Sequence, residues 1–325
     1  MNRSRSRADR GPRPTGRDLI RSGLERFTVD TGAAALLRRR QAGKRLILAY
    51  HNVLPHDTPP WGDRSLHVPI HRFRRHLDVL EASATLVSLE RLMDPTPLPD
   101  PRPLVALTFD DAYGGAIAAI RDILLPRGIP STVFLNPGHP VGEPFWWDVL
   151  ASSTSRDGSL DDSLRDRCLT DLEGDRTKVL EWAATRWALD HQAPDSNFLP
   201  VCGEDLTPMF IRESLVRIGS HGWSHRNLVA LSPADLTREL EQPLRWLEAR
   251  GLGTNCGISF PYGATNDDVT TAARTAGYPW GLRVSGGFLS AGALGRNPLN
   301  LPRLNIPAGL SWRGLAIRLS GVGAS

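Results

Sequence analysis

Five short apolar runs, each closed by polar or turn-forming residues, constrain this fold more than any other feature. They are Arg45–Val53 (RLILAYHNV), Pro103–Phe109 (PLVALTF), Ser131–Leu135 (STVFL), Leu215–Ser220 (LVRIGS) and Cys256–Phe260 (CGISF). Runs of this length without polar alternation fit strands covered on both faces, as in parallel sheets. Helix-patterned chain separates them. Ile70, Phe73, Leu77 and Leu80 recur at helical spacing within Ile70–Ala82. Gly115–Gly128 reads as a helix stopped by Pro126 and Gly128. Ser232-Pro233-Ala234-Asp235 starts another helix, in which Pro243 is expected to make a kink, and Asn266 and Gly277 bracket a further one. Such alternation implies an α/β protein with a parallel sheet, either open and doubly wound or closed into a barrel.

One segment breaks the rhythm. Residues 140–208 hold EPFWWDVLASS followed by charged, helix-patterned chain, and read as a helical insertion between two strands. Trp146, Trp147, Trp182 and Trp187 lie in it. Clustered tryptophans pack helices together or stack on sugar rings, and the sequence leaves both uses open.

At 325 residues the chain is long enough for a sizeable core. Its formal charge of +4 is uneven, because residues 1–45 hold thirteen Lys/Arg against four Asp/Glu, and the remainder is close to neutral. Residues 1–44 therefore read as a basic, partly disordered N-terminal segment, with a weak helical pattern over Arg17–Arg40. A solvated tail accounts for it, so no nucleic-acid partner is assigned. The organised domain spans 45–315, and 316–325 reads as a C-terminal tail. Cys168, Cys202 and Cys256 form no CxxC pair, which argues against a disulfide framework or a thiolate zinc site. No secretory signal and no transmembrane run is legible, which points to the cytoplasm. Oligomeric state is not legible.

In α/β proteins of this kind ligands gather at the carboxyl ends of strands. Here the first run leads to His51, the second to Asp110-Asp111, the fourth to SHGWSH (Ser220–His225) and the fifth to FPYG (Phe260–Gly263). His221 and His225 have the i, i+4 spacing that puts two imidazoles on one face of a turn. A carboxylate from Asp110 or Asp111 would complete a two-histidine, one-carboxylate metal face with open positions. That also rationalises two adjacent like charges. One carboxylate binds the cation, and the other stays ionised and takes a proton from the water being activated.

TFDDAY, SHGWSH and SFPYG resemble the first three motifs of the polysaccharide deacetylases, the NodB-homology or carbohydrate esterase family 4 enzymes. The resemblance covers roughly Arg45 to Pro307, and LAYHNV, FWWD and NLPRLNIP are similar to one branch of the family. It implies a distorted (β/α)7-type, TIM-like barrel, a divalent metal (zinc, with cobalt or nickel as alternatives) and hydrolysis of an N-acetyl group to release acetate. It further implies Asp110 as general base, Asp111, His221 and His225 as metal ligands, and Pro261 and Tyr262 as substrate-groove residues, with the Tyr262 backbone N–H at the oxyanion.

Two departures stand out. The arginine that orients the base in the family's third motif is replaced here by Ser259 and Phe260, and Arg303 is the candidate substitute. The family's late histidine is absent, since no histidine follows His225, which makes His51 the candidate proton donor to the leaving amine. Trp146 and Trp147 are candidate sugar-facing residues. The expected function is removal of an N-acetyl group from an acetamido sugar, whether polymer, lipid-linked intermediate or small glycoside. The alternatives are a catalytically degenerate carbohydrate-binding module and a metal-dependent deacetylase of a non-sugar amide.

Overall fold

A computed structural model describes residues 41–322 apart from 42, 60, 97–101, 156–157, 202–213, 253–254, 290–293 and 296. The expectations for residues 1–40, for Cys202 and for the last three residues lie outside the described residues.

Each apolar run contains a strand, and every residue of Arg45–Tyr50 and of Leu104–Phe109 is buried. The strands are β1 (Arg45–Tyr50), β2 (Asn52–Leu54), β3 (His67–Pro69), β4 (Thr85–Leu86), β5 (Leu104–Phe109), β6 (Ser131–Leu135), β7 (Val216–Ser220), β8 (Ile258–Ser259), β9 (Gly281–Val284) and β10 (Leu301–Asn305). All pairings between them are parallel. The chain of partners β5-β6-β7-β8-β9-β10-β1 closes on itself, because β1 also pairs with β5 from Arg45↔Leu104 to Tyr50↔Phe109. The open doubly wound alternative is thereby excluded, and the protein is a closed seven-stranded, TIM-like α/β barrel. β4 lies beside β5 outside the ring, and β2 and β3 form a separate two-stranded ribbon just beyond the end of β1.

Helices α1 (Ile70–Ser83), α2 (Leu89–Met93), α3 (Gly114–Ala119), α7 (Pro233–Glu248), α8 (Asp267–Ala276) and α9 (Trp312–Leu319) follow strands around the barrel. Helices α4 (Trp146–Thr154), α5 (Asp162–Thr170) and α6 (Arg176–Ala184) form the insertion. The expected caps are in place. Ser232 Oγ accepts from Asp235 N, Asn266 Oδ1 accepts from Val269 N at 2.9 Å, and Gly277 ends α8 at φ 104°. α7 continues through Pro243 to Glu248. After Ala119 the expected Gly115–Gly128 helix widens and then tightens before Gly128 stops it at φ 67°.

Period-two alternation along β5 explains the barrel interior. Leu104 and Ala106 join Ile47, Phe134, Leu282 and Leu301 in one apolar cluster, whereas Val105, Leu107 and Phe109 pack in the larger cluster with the surrounding helices. Because the strands are parallel, their carboxyl ends meet at one rim. Residues far apart in sequence are brought together there.

Candidate active site

The alternation that puts Leu104 and Ala106 inside the barrel continues through Thr108 to Asp110. Asp110 meets Arg303 of β10 as a bidentate pair, Nη1–Oδ1 2.8 Å and Nη2–Oδ2 2.7 Å. Arg303 also donates to Thr108 Oγ1 at 3.1 Å and to Ser259 Oγ at 2.7 Å, and Ser259 Oγ donates to Asp110 Oδ2. Burial alone would raise the Asp110 pKa, but the Arg303 guanidinium and His221 outweigh it and hold the carboxyl well below the usual range. Asp110 is therefore an ionised carboxylate whose orientation is fixed by a fork.

Asp111 leaves the strand at φ 68°, in the left-handed region that non-glycine residues rarely occupy. That turn points its carboxylate to the rim, where Oδ1 lies 3.1 Å from His225 Nε2 and 3.5 Å from His221 Nε2. One ligand atom from each of the three residues lies within 4.8 Å of the others. The short approach to His225 lacks hydrogen-bond geometry, so Asp111 Oδ1 is a buried oxygen without a hydrogen-bond partner. His221 Nδ1 donates to the Ser259 carbonyl at 2.6 Å, which leaves Nε2 as a lone pair facing the cluster. Burial pushes the His221 imidazole down to about 4, so it is neutral at physiological pH. An orphaned carboxylate oxygen and two converging imidazole nitrogens fit a divalent cation.

His225 and Tyr262 are also in the left-handed region, at φ 60° and 59°. Three strained residues converging on one cluster mark a functional site, since each costs of order 1 kcal/mol or more. The SHGWSH turn is held from below by Glu239 of α7, whose carboxylate accepts from Trp223 N, Ser224 N and Ser224 Oγ. The two glycines after the aspartates allow close packing. A Cβ on Gly115 would lie 2.4 Å from the Val53 carbonyl, and one on Gly114 would lie 2.3 Å from that of Ser196.

A cavity of about 220 Å³ opens over the cluster, lined by His51, Asp110, Asp111, Trp147, His221, His225 and Tyr262, with Arg165 and Leu169 of α5 above. The structure thus brings together nearly all the residues expected from sequence, with three differences of placement. Arg303 is fully buried beneath Asp110 and does not reach the cavity, so it orients the Asp110 carboxylate and touches no bound molecule itself. Trp146 lies behind the wall, where its indole donates to the Tyr262 hydroxyl at 3.1 Å, because α4 turns only one of its paired tryptophans to the cavity. Pro261 is buried and supports Tyr262 without lining the cavity.

Several contributors were not anticipated. Asp148, the acid of FWWD, is fully buried and accepts from Tyr113 Oη (2.6 Å) and Asp63 N (2.7 Å), with His67 Nε2 at 3.2 Å. Tyr113 Oη in turn accepts from the Trp147 indole at 2.9 Å. Burial and Asp148 push the Tyr113 phenol well above its ordinary value, so it stays a donor. A lone acid amid aromatics was the available signal for Asp148. For Glu239 the signal was its place on the apolar stripe of Leu236, Leu240, Pro243 and Leu247. Arg165 and Leu169 left no trace in a helix of weak amphipathicity.

Comparison with known proteins agrees with this geometry. Residues 98–281 match the family model described as polysaccharide deacetylase. The chain belongs to the polysaccharide deacetylase family. Its coarse activity is that of a hydrolase that deacetylates acetylated polysaccharide. No curated protein matches the sequence significantly. Among solved structures, the Streptococcus pyogenes deacetylase PplD, in complex with acetate, superposes with a TM-score of 0.55 at 19% identity, covering 84% of this chain and 97% of that one. A de-N-acetylase from Aggregatibacter actinomycetemcomitans gives 0.56 at 15% identity, covering 84% and 98%. IcaB from Ammonifex degensii gives 0.55 at 18%, covering 86% and 98%. At these identities the likeness shows the deacetylase fold. Among the described residues no helix is long and apolar enough to cross a membrane.

Proposed function

We propose that this polysaccharide deacetylase is a metal-dependent N-deacetylase of an acetamido sugar, with Asp110 as base. The carrying observation is the cluster of Asp111, His221 and His225, with its orphaned oxygen, beside an Arg303-clamped Asp110 at the floor of one cavity. Asp111, His221 and His225 would hold the cation, zinc first, with cobalt or nickel as alternatives. When bound, it supplies Lewis-acid polarisation of the acetyl carbonyl and acidifies water.

The chain's own groups do the rest. Asp110 accepts a proton from the water whose oxygen attacks the acetyl carbonyl carbon. Arg303 keeps that carboxylate ionised and aimed. The Tyr262 backbone N–H is assigned to the developing oxyanion. As the C–N bond breaks, His51 in the cavity wall donates a proton to the departing amine, and acetate and the free amino sugar leave. Trp147 offers the sugar an apolar wall.

Acetate release from N-acetylglucosamine oligomers tests this reading together with metal analysis. Chelation is expected to abolish turnover and added zinc to restore it. His225→Ala should lose the metal and at least about a thousandfold in rate, equivalent to roughly 4 kcal/mol. Full activity after chelation, or undiminished metal content in His225→Ala, would overturn it.

A further inference from the structure

A second and larger cavity, about 560 Å³, lies next to the catalytic one. Three chain segments contribute to both. His51, Leu66 and Asn305 line the catalytic cavity, and Leu54, His67 and Ala308, one to three positions further on, line the second. Three residues span at most about 10 Å, so a group joined to a sugar in the catalytic cavity reaches the second without a long linker. The Ala308 N–H to Ser65 carbonyl bond ties two of these segments together.

The second cavity differs in chemistry. Arg64, Arg72, His56 and His71 line it, against one carboxylate, Asp57, which pairs with His56 at 2.7 Å. Arg72 also donates to the Ala308 carbonyl, which fixes the guanidinium in the wall. His71 and Arg72 sit in the first turn of α1, where no acidic side chain is present. The Arg72 guanidinium thus lies at the positive end of a helix, an unfavourable placement that an anion in this cavity would relieve. A neutral glycan needs no such lining.

We propose that this groove is an anion subsite, holding a phosphate or carboxylate group joined to the acetamido sugar whose N-acetyl group is removed next door. The proposal rests on the deacetylase reading for the sugar but not for the anion. It makes the preferred substrate a glycosyl phosphate or a uronate-containing glycan.

Calorimetric titration of the holoenzyme with glucose 1-phosphate, glucuronate and methyl glucoside tests it. None of the three carries an acetyl group, so turnover does not intervene. At least one anionic sugar is expected to bind ten times more tightly than methyl glucoside. Which one does so separates a phosphate source from a carboxylate source. Arg64→Gln, and independently Thr58→Glu at the groove wall, should erase the preference and leave acetate release from neutral N-acetylglucosamine oligomers unchanged. Equal affinity for all three ligands overturns the proposal. So does a preference that survives both substitutions, because the anion then sits elsewhere. Should the preference appear and vanish as expected while no oligomer is deacetylated, the groove stands and the deacetylase reading falls.

Discussion

Asp110 and Asp111 are neighbours with opposite surroundings, and the backbone between them makes the difference. One continues the strand's inward alternation into the grip of Arg303. The other turns left-handed toward two imidazoles. Arg303→Lys keeps a cation but loses the fork, so Asp110 becomes harder to ionise. The acidic limb of the kcat/KM profile should move to higher pH, and kcat should fall by about ten- to a hundredfold. Arg303→Met leaves Asp110 as a buried unpaired charge and should destabilise the fold by about 3–5 kcal/mol in urea titration. An unchanged pH profile in Arg303→Lys would show that the fork does not tune the base. The two aspartates and two histidines were legible in sequence because their spacing repeats a known ligand pattern. Arg303 was legible only as a substitute for a missing arginine. Ser259, which touches Asp110, Arg303 and His221, was visible only as the residue standing where that arginine was expected.

Among the elements, legibility followed the length of the apolar run, which is why the two-residue β8 was read within Cys256–Phe260. The five apolar runs contain strands, β2 beginning within the first of them, whereas β3, β4 and β9 were not read. Two to four residues carry no measurable periodicity, and β9 includes a charged Arg283. Helix α4 was read as the start of an insertion, but its anchor to the barrel was not. That anchor is Asp148, which joins the insertion to Tyr113 beside the aspartates and to the segment holding Asp63 and His67. Asp63 in turn pairs with Arg165 of α5, so two linked buried carboxylates, Asp148 and Asp63, set the Trp147 wall and the roof of the cavity. Asp148→Ala orphans those donors and should cost about 3 kcal/mol or more. Asp110 and Asp111 sit on the barrel and not on the insertion. The effect on turnover should therefore appear as a KM raised about tenfold with kcat changed only severalfold. A loss confined to kcat would show that Asp148 serves the chemistry instead of the wall.

At the scale of the whole molecule, helices and loops packed onto the barrel bury titratable groups, and this links stability to pH. His76 of α1 lies between Tyr50 Oη and the Leu310 carbonyl, and His139 packs on Phe145 while meeting the Glu143 carbonyl. Burial lowers both imidazoles to about 4, so the folded protein holds them neutral. In the unfolded chain they titrate near the ordinary 6.5. Between about pH 6.5 and 4 the unfolded state binds more protons, so stability is fully present above that window and falls as the pH drops through it. Each imidazole contributes at most about 1.4 kcal/mol per pH unit there. Asp110 and Asp111 add little to the slope in this range, because their lowered pKa values move their contribution to more acid conditions. His221, lowered by burial to the same range, adds an equal share when no metal is bound, so urea denaturation of metal-free protein at pH 7 and 5 should show a loss of about 5–6 kcal/mol. The double variant His76→Gln/His139→Gln should cut that dependence to about a third, the His221 share, while lowering stability at pH 7. An undiminished slope in the double variant would place the responsible protons on other groups.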